Sequence, residues 1–208
     1  MRLTAPKKAG PVPKEALDYW RRKKVKPGLD AKDAWAEEYS LAFTAAGVAA
    51  EDLLESMRRA VEQAIEEGLT FREFADRLDE VMVALGWAGE DGKPPWRLKL
   101  IYDTNMRVAR AAGQYERVQR TKADRPYLVY ALGPAEHHRD EHVGWAGTVL
   151  PVDDPFWATH WPPNGFNCRC HLRQVSTAEA RRLGISAEAP DGDPDPGWDS
   201  NPGASRGS

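Results

Sequence analysis

The sequence predicts an α+β protein: an N-terminal helical unit, followed by a C-terminal unit with a long helix, a small β-sheet and an aromatic loop rich in His and Cys. Between residues 30 and 120, apolar residues recur every three or four positions, the spacing of a helix face. Beyond residue 125, short β-favouring runs stand between prolines and glycines. The turn-rich stretch GWAGEDGKPPW at 86–96 separates the two units.

This pattern divides the chain into four parts. We expect a basic Pro/Lys-rich arm at 1–30, a helical domain at 31–90, the long-helix and sheet domain at 96–185, and a tail at 186–208. The arm contains one short helical piece, with Tyr19 and Trp20 as anchors on a partner. The tail is acidic and rich in Pro, Gly and Ser, a composition typical of disorder.

The apolar periodicity predicts four main helices. They run over residues 30–47, 51–67, 70–86 and 97–120. Gly68 follows the second helix and Gly86 ends the third, where a residue that tolerates a left-handed backbone stops a helix. Thr70 with Glu73 three residues later is a capping-box pattern.

Three short runs predict the strands of the sheet. PYLVYALG is a short β-favouring run between a proline and a glycine, and TVLPV and CRCHLRQVS are two more strand candidates. A last short helix follows, capped by Thr177 and continuing to Arg182. The sequence contains no internal repeat.

The composition excludes a membrane-spanning protein. Of the 208 residues, 41% are hydrophobic and 29% are charged, and no apolar run approaches the roughly 18 residues that a span requires. The N-terminus has basic residues without the apolar stretch of a secretory signal. Residence in the cytoplasm is the default expectation.

Charge is distributed in blocks, although the net charge is only −3. Residues 1–32 contain ten Lys and Arg against three acids, and residues 97–125 contain eight against three. Residues 51–80 reverse the sign, with ten acids against four arginines. Such blocks are usually solvated faces, and contact of the basic ones with nucleic acid is the functional alternative.

The segment from Arg139 to Gln174 contains His142, His160, Cys168, Cys170 and His171. Both cysteines of the chain, Cys168 and Cys170, lie there one residue apart. On an extended strand they face the same side, which suits capture of one metal by two thiolates. Zinc is the ion that prefers two thiolates and two imidazoles, and His142 and His160 complete the set.

Two other interpretations of these residues stay open. Cysteine is often buried as a small apolar residue, so the pair could be packed without a metal. The segment could also serve catalysis, because a cysteine, a histidine and Asp153 or Asp154 supply the residue types of a hydrolase. A disulfide between residues two apart is disfavoured, since it closes a very small, strained ring. His137 and His138 are weaker ligand candidates.

The loop around these ligands is aromatic and turn-rich. Pro162 to Gly165 is a strong turn signal ahead of the cysteines. The aromatic residues are expected to form a miniature core; they are Phe156, Trp157, Trp161 and Phe166. Asp153 and Asp154 precede a proline, which is typical of a turn cap. Arg139 either reaches these aspartates or is a surface charge.

With these motifs assembled, the chain resembles the phage Mu F-like minor head (head morphogenesis) protein family. The matching motifs are Arg139 with His142, Trp145 to Gly147, Asp153 to Trp157, Pro162 to Gly165, and Cys168 to Cys170. Further similar stretches are AFTAAGV at 42–48, EEGLTFREF at 66–74, GW at 86–87 and the run at 104–128. The resemblance covers roughly residues 12–185 and departs from the family at His171, where a branched or basic residue is expected.

The resemblance implies a structural minor head protein of a tailed phage or prophage rather than an enzyme. It implies association with the portal and with capsid or scaffold components, a part in head assembly and DNA delivery, and packaged DNA near the basic segments. The location implied is the virion, and the bacterial cytoplasm during assembly. No small-molecule substrate is expected. A structural zinc held by His142, His160, Cys168 and Cys170 remains an inference from ligand types, and a zinc- or cysteine-dependent hydrolase is the alternative.

Overall fold

The computed structural model describes residues 13–28, 42–45, 48–86 and 96–204. The helices are α1 Lys14–Arg21, α2 Glu51–Glu67, α3 Phe71–Asp76, α4 Asp79–Ala84, α5 Trp96–Thr121, α6 Asp140–Trp145, α7 Phe156–Thr159 and α8 Thr177–Leu183. The strands are β1 Lys24–Val25, β2 Ala42–Phe43, β3 Tyr127–Ala131, β4 Val149–Pro151 and β5 His171–Val175. The α+β prediction is confirmed.

One apolar core joins helices α1 to α5. Its largest fully buried side chains include Trp20, Phe74, Leu54 and Met57. The α1 and α5 helices approach closely at Gly113, where an added Cβ would lie 2.8 Å from the backbone nitrogen of Ala16. A side chain larger than hydrogen at Gly113 would therefore push the two helices apart.

The second core lies between the C-terminal part of α5 and a three-stranded antiparallel sheet. The strand order is β4-β3-β5, so the first strand in sequence is central. Leu128 and Tyr130 of β3 face the same side and are fully buried, as alternation along a strand dictates. Ala111 and Val118 of α5 belong to this core, whereas Ala109 and Ala112 belong to the helical one. Helix α5 is thus shared by both cores.

Several helix predictions match the structure closely. Helix α2 has the predicted bounds and ends at Gly68, whose φ of 67° is left-handed. The capping box of Thr70 and Glu73 is formed in both directions, and α5 extends the predicted range by one residue at each end. At the C-terminus Ser176, not Thr177, caps α8, because the Ser176 side chain accepts from the Glu179 backbone N–H.

Other predictions are corrected. The helix expected over 70–86 is two short helices, because the chain breaks at Arg77 and Leu78 between α3 and α4. Most of the helix expected over 30–47 lies outside the described residues, but its end at Ala42–Phe43 is a strand that pairs in parallel with Lys24–Val25. The cysteines precede β5 instead of lying on it.

The N-terminal helix belongs to the helical core and not to a separate arm. Tyr19 and Trp20, expected to anchor a partner, are buried at 2% and 0% exposure within this chain. The Trp20 indole N–H donates to the Arg58 carbonyl at 3.1 Å, which fixes α1 on α2. The predicted boundary between the arm and the helical domain at residue 30 is therefore wrong, because residues 14–25 belong to the helical domain. Residues 1–12 of the expected arm lie outside the described residues.

The acidic tail is also corrected, since residues 186–204 are packed on the domain rather than disordered. The Ser186 N–H donates to the Val149 carbonyl at 2.9 Å, and the Asp191 carbonyl accepts from the Trp145 indole at 2.9 Å. Asn201 is buried at 5% exposure. The polar composition of the segment predicted disorder, but backbone hydrogen bonds and the packing of Trp198 against Phe166 hold it on the domain.

In the part of the chain that the structure describes, no helix is long and apolar enough to cross a membrane.

Candidate metal centre

Helix α6 and the loop before β5 bring one imidazole and two thiols together. Nδ1 of His142 lies 3.6 Å from Sγ of Cys170 and 3.8 Å from Sγ of Cys168. All three side chains are buried, at 2%, 8% and 4% exposure. Their ligand atoms lie within 4.8 Å of one another, and among the described residues this is the one group of at least three His, Cys or acidic side chains with such spacing. We call it the His-Cys-Cys group.

The loop that carries the cysteines is held by its turn residues. Asn164 is fully buried and its Oδ1 accepts from the Tyr130 hydroxyl at 3.0 Å, which ties the loop to β3. The Cys168 N–H donates to the Gly165 carbonyl at 3.2 Å. The predicted PPNG turn thus positions the first cysteine, and the Pro162-Pro163 peptide bond is cis.

The backbone at Gly133 packs closely against Arg169, which fixes the position of Cys170. An added Cβ at Gly133 would lie 1.9 Å from the Arg169 carbonyl oxygen, so only glycine fits where the end of β3 meets the loop. Cys168 and Cys170 share the buried side while Arg169 between them faces outward, as the sequence spacing predicts. The alternation persists although the regular strand begins only at His171.

The two thiols have opposite pKa shifts. The hydrogen bond with Cys168 is the largest cause that lowers the pKa of Cys170, and the Tyr130 hydroxyl and the Gly133 backbone add to it against the effect of burial. The same contact with Cys170, together with burial, raises the pKa of Cys168. Burial foremost raises the pKa of Tyr130, so this hydroxyl stays a neutral donor. The protein therefore favours a thiolate at Cys170.

His160 is not part of the His-Cys-Cys group. Its ring stacks on Phe156 with centroids 3.9 Å apart and packs edge-on against Trp145 at 4.6 Å. Its Nε2 lies 3.0 Å from the Gly192 carbonyl and its Nδ1 lies 2.8 Å from the Thr159 hydroxyl. The structure thus assembles three of the four residues expected to bind the metal, and gives the fourth a place in the aromatic core.

The remaining histidine candidates lie on the surface. His137 is exposed beside Glu136, and His138 is only partly buried. His171, the departure from the family pattern, is exposed at the start of β5 and faces away from the cysteines, in agreement with strand alternation.

Trp145 is the centre of the aromatic core around the ligands. It is fully buried, stacks on His142 with centroids 5.0 Å apart, and packs edge-on against Tyr130 at 5.8 Å. Phe156, Trp157 and Trp161 are buried as predicted, whereas Phe166 is only partly buried and packs edge-on against Trp198. Sequence reasoning gave Trp145 no such role, although a tryptophan three residues after His142 on a helix was a usable signal.

The charged residues of the loop pair differently from the expectation. Arg139 donates to Asp195 of the tail at 2.7 Å and to the Phe166 carbonyl at 3.2 Å, instead of reaching the aspartate pair. Asp153 pairs with Lys122 at 2.7 Å. The Asp154 carboxylate accepts from the Phe156 backbone N–H at 2.9 Å, which makes it the turn cap expected.

A basic cleft lies between α5 and the cysteine loop. It encloses about 830 Å³ and is lined in part by Cys168, Cys170 and His171. Asp124 is the one acid among its lining residues. We define the basic cleft by its five arginines: Arg107, Arg110, Arg117, Arg125 and Arg169.

Comparison with known proteins identifies the family. The family model described as "Phage Mu protein F like protein" matches residues 55–173, more than half of the chain. The chain belongs to this family. The matched range of the Mu F-like family includes most of α2, all of α3 to α5, most of the sheet and the whole His-Cys-Cys group, so the resemblance inferred from the motifs is confirmed.

Two curated relatives agree with the Mu F-like assignment. The chain is 36% identical over 186 residues to the "Putative capsid assembly protein F" of Escherichia phage Mu, covering 83% of this chain and 42% of the relative. It is 31% identical over 172 residues to the "Mu-like prophage FluMu F protein" of Haemophilus influenzae, covering 76% of this chain and 42% of that relative. No solved structure matches the chain.

The chain spans about two fifths of the length of these relatives. The first relative's name describes capsid assembly and no catalytic activity. This agrees with the expectation of a structural protein and gives no support to the hydrolase alternative.

Proposed function

We propose that this chain is a head-assembly protein of a tailed phage or prophage, which associates with the portal and with capsid or scaffold components while the head is built. The observation that carries the proposal is the 36% identity to a relative named as a capsid assembly protein, together with the family match over 55–173. The location that follows from the proposal is the phage head, and the host cytoplasm during assembly.

Portal association is tested by co-purification from the host. The full chain is co-expressed with the tagged product of the neighbouring portal gene, and a portal protein from an unrelated phage serves as the control. Retention on the cognate portal alone, and detection of the chain in purified heads by mass spectrometry, are expected. Absence from the heads and equal recovery on both portals would contradict the proposal.

The basic cleft supports a contact with packaged DNA. Five arginines face one acid, so the cleft has a positive charge suited to backbone phosphates. Two of the arginines are partly neutralised, since Arg107 pairs with Asp103 and Arg117 with Glu15. Arg110 and Arg125 have no ion pair among the described residues, which makes them the first contacts to test.

The DNA contact is tested by binding of a short duplex as a function of salt. Arg110→Gln with Arg125→Gln should weaken binding and lower the slope of log affinity against log salt by about one per phosphate contact removed. The matched control is Arg181→Gln with Arg182→Gln, which removes the same charge from exposed positions on α8. Equal loss in the two double variants would mean that the cleft has no special part in DNA binding.

A further inference from the structure

The spacing of the His-Cys-Cys group matches the ligand sphere of a tetrahedral metal ion. Zinc takes thiolate sulfur at about 2.3 Å and imidazole nitrogen at about 2.0–2.1 Å, so two such ligands at a tetrahedral angle lie about 3.5 Å apart. The observed distances from His142 Nδ1 to the two sulfurs are 3.6 and 3.8 Å. These two distances agree with a metal bound by the imidazole nitrogen and both sulfurs, and all three ligand atoms lie within 4.8 Å of one another.

The surroundings of His142 also indicate a bound metal ion. Its imidazole is 2% exposed, and the partners of Nδ1 in the described structure are the two sulfur atoms. Sulfur is a weak hydrogen-bond partner, and Nε2 is buried with no hydrogen-bond partner among the described residues. A metal bound to Nδ1 replaces the two weak contacts with sulfur, and Nε2 then carries the ring proton.

We propose that His142, Cys168 and Cys170 bind one zinc ion through one imidazole and two thiolates, and that a water from the basic cleft fills the fourth position. Both cysteines line the cleft, which gives that water access. The site joins α6 to the loop before β5, two segments more than 20 residues apart in sequence. Zinc thereby acts as a cross-link of the C-terminal unit. This inference goes beyond head assembly, and it can be tested without any assembly partner.

The structure distinguishes this site from the four-ligand set expected from the sequence. His160 has its own partners in the Gly192 carbonyl and the Thr159 hydroxyl, and Phe156 stacks on its ring. It therefore contributes packing and not coordination. Replacement of His160 should leave the metal in place, whereas replacement of a group member should release it.

The first test measures zinc in the full chain after expression in zinc-replete medium. About one equivalent is expected in the unaltered protein and in the exposed-histidine control His171→Asn, and less than about one-tenth in Cys170→Ser. Less than about one-tenth in the unaltered protein would show packed thiols without metal and overturn the proposal. Full retention of zinc by Cys170→Ser would overturn it as well.

A second test remains informative if Cys170→Ser fails to fold. The metal is removed from the unaltered protein with a chelator and replaced with Co²⁺, whose charge-transfer and visible bands report thiolate ligands and tetrahedral geometry. Bands of a two-thiolate tetrahedral site are expected in the unaltered protein and in His160→Gln. Absence of these bands in folded protein, or their loss in folded His160→Gln, would refute the three-residue site.

Discussion

Replacement of Trp145 by Phe tests whether the acidic tail and the aromatic core stabilise each other. Trp145 is fully buried, and its indole N–H donates to the Asp191 carbonyl at 2.9 Å. Phenylalanine keeps a six-membered ring but lacks this donor and two of the buried carbons. The hydrogen bond contributes about 1 kcal/mol, and the two carbons with the cavity they leave contribute about 1–2 kcal/mol.

The expected loss in the free energy of unfolding is therefore about 2–3 kcal/mol. In a chain of this size it lowers the melting temperature by about 5–10 °C. Urea denaturation followed by circular dichroism measures the first quantity, and a thermal scan measures the second. Hydrogen exchange should show faster opening of residues 186–204 in Trp145→Phe.

The matched control is Trp96→Phe at the start of α5, where the side chain is 71% exposed. This variant should stay within about 0.5 kcal/mol of the unaltered protein. Equal stability of the two variants, or unchanged exchange of the tail in Trp145→Phe, would refute the view that residues 186–204 are docked through this tryptophan.

Three further variants probe close contacts and a cap, each by urea denaturation. Gly133→Ala should cost about 1–3 kcal/mol, because its Cβ would meet the Arg169 carbonyl at 1.9 Å and displace the cysteine loop. Gly113→Ala should cost about 1–2 kcal/mol, since the contact with Ala16 outweighs the gain in helix propensity. Thr70→Ala should cost about 1 kcal/mol through loss of the capping box.

These variants have controls in the same chain. Gly144→Ala places a Cβ in α6 where no atom lies within 4 Å, so it should be neutral or stabilising by up to about 1 kcal/mol. A loss equal to that of Gly133→Ala would mean that the close approach is unimportant. Thr70→Ser keeps the hydroxyl and should retain the stability lost in Thr70→Ala; if it does not, the cap is not the cause.

Part of the helical unit followed from local signals in the sequence. Apolar spacing and Gly68 fixed the bounds of α2, and Thr70 with Glu73 predicted the start of α3. These signals act over a few residues, so no knowledge of the tertiary structure was needed. The break at Arg77 between α3 and α4 is different, because the apolar pattern continues across it.

The sequence predicted the residue types of the candidate metal centre, but not which histidine belongs to it. The single-residue spacing of Cys168 and Cys170 predicted that they face one side, and they do. The choice between His142 and His160 depends on which helix faces the loop. Composition could not show that Phe156 and the Gly192 carbonyl engage His160 instead.

The sequence by itself determined the family, the α+β class, helices α2 and α5 and the three strand regions of the C-terminal sheet, because periodicity, caps and motifs are local or directly readable. Only the tertiary structure decided that α1 and the tail are packed on the domains. Their docking depends on contacts between distant residues, such as Trp20 with the Arg58 carbonyl and Trp145 with the Asp191 carbonyl. A hydrogen bond to a backbone carbonyl cannot be predicted from residue types, since every residue has a backbone carbonyl.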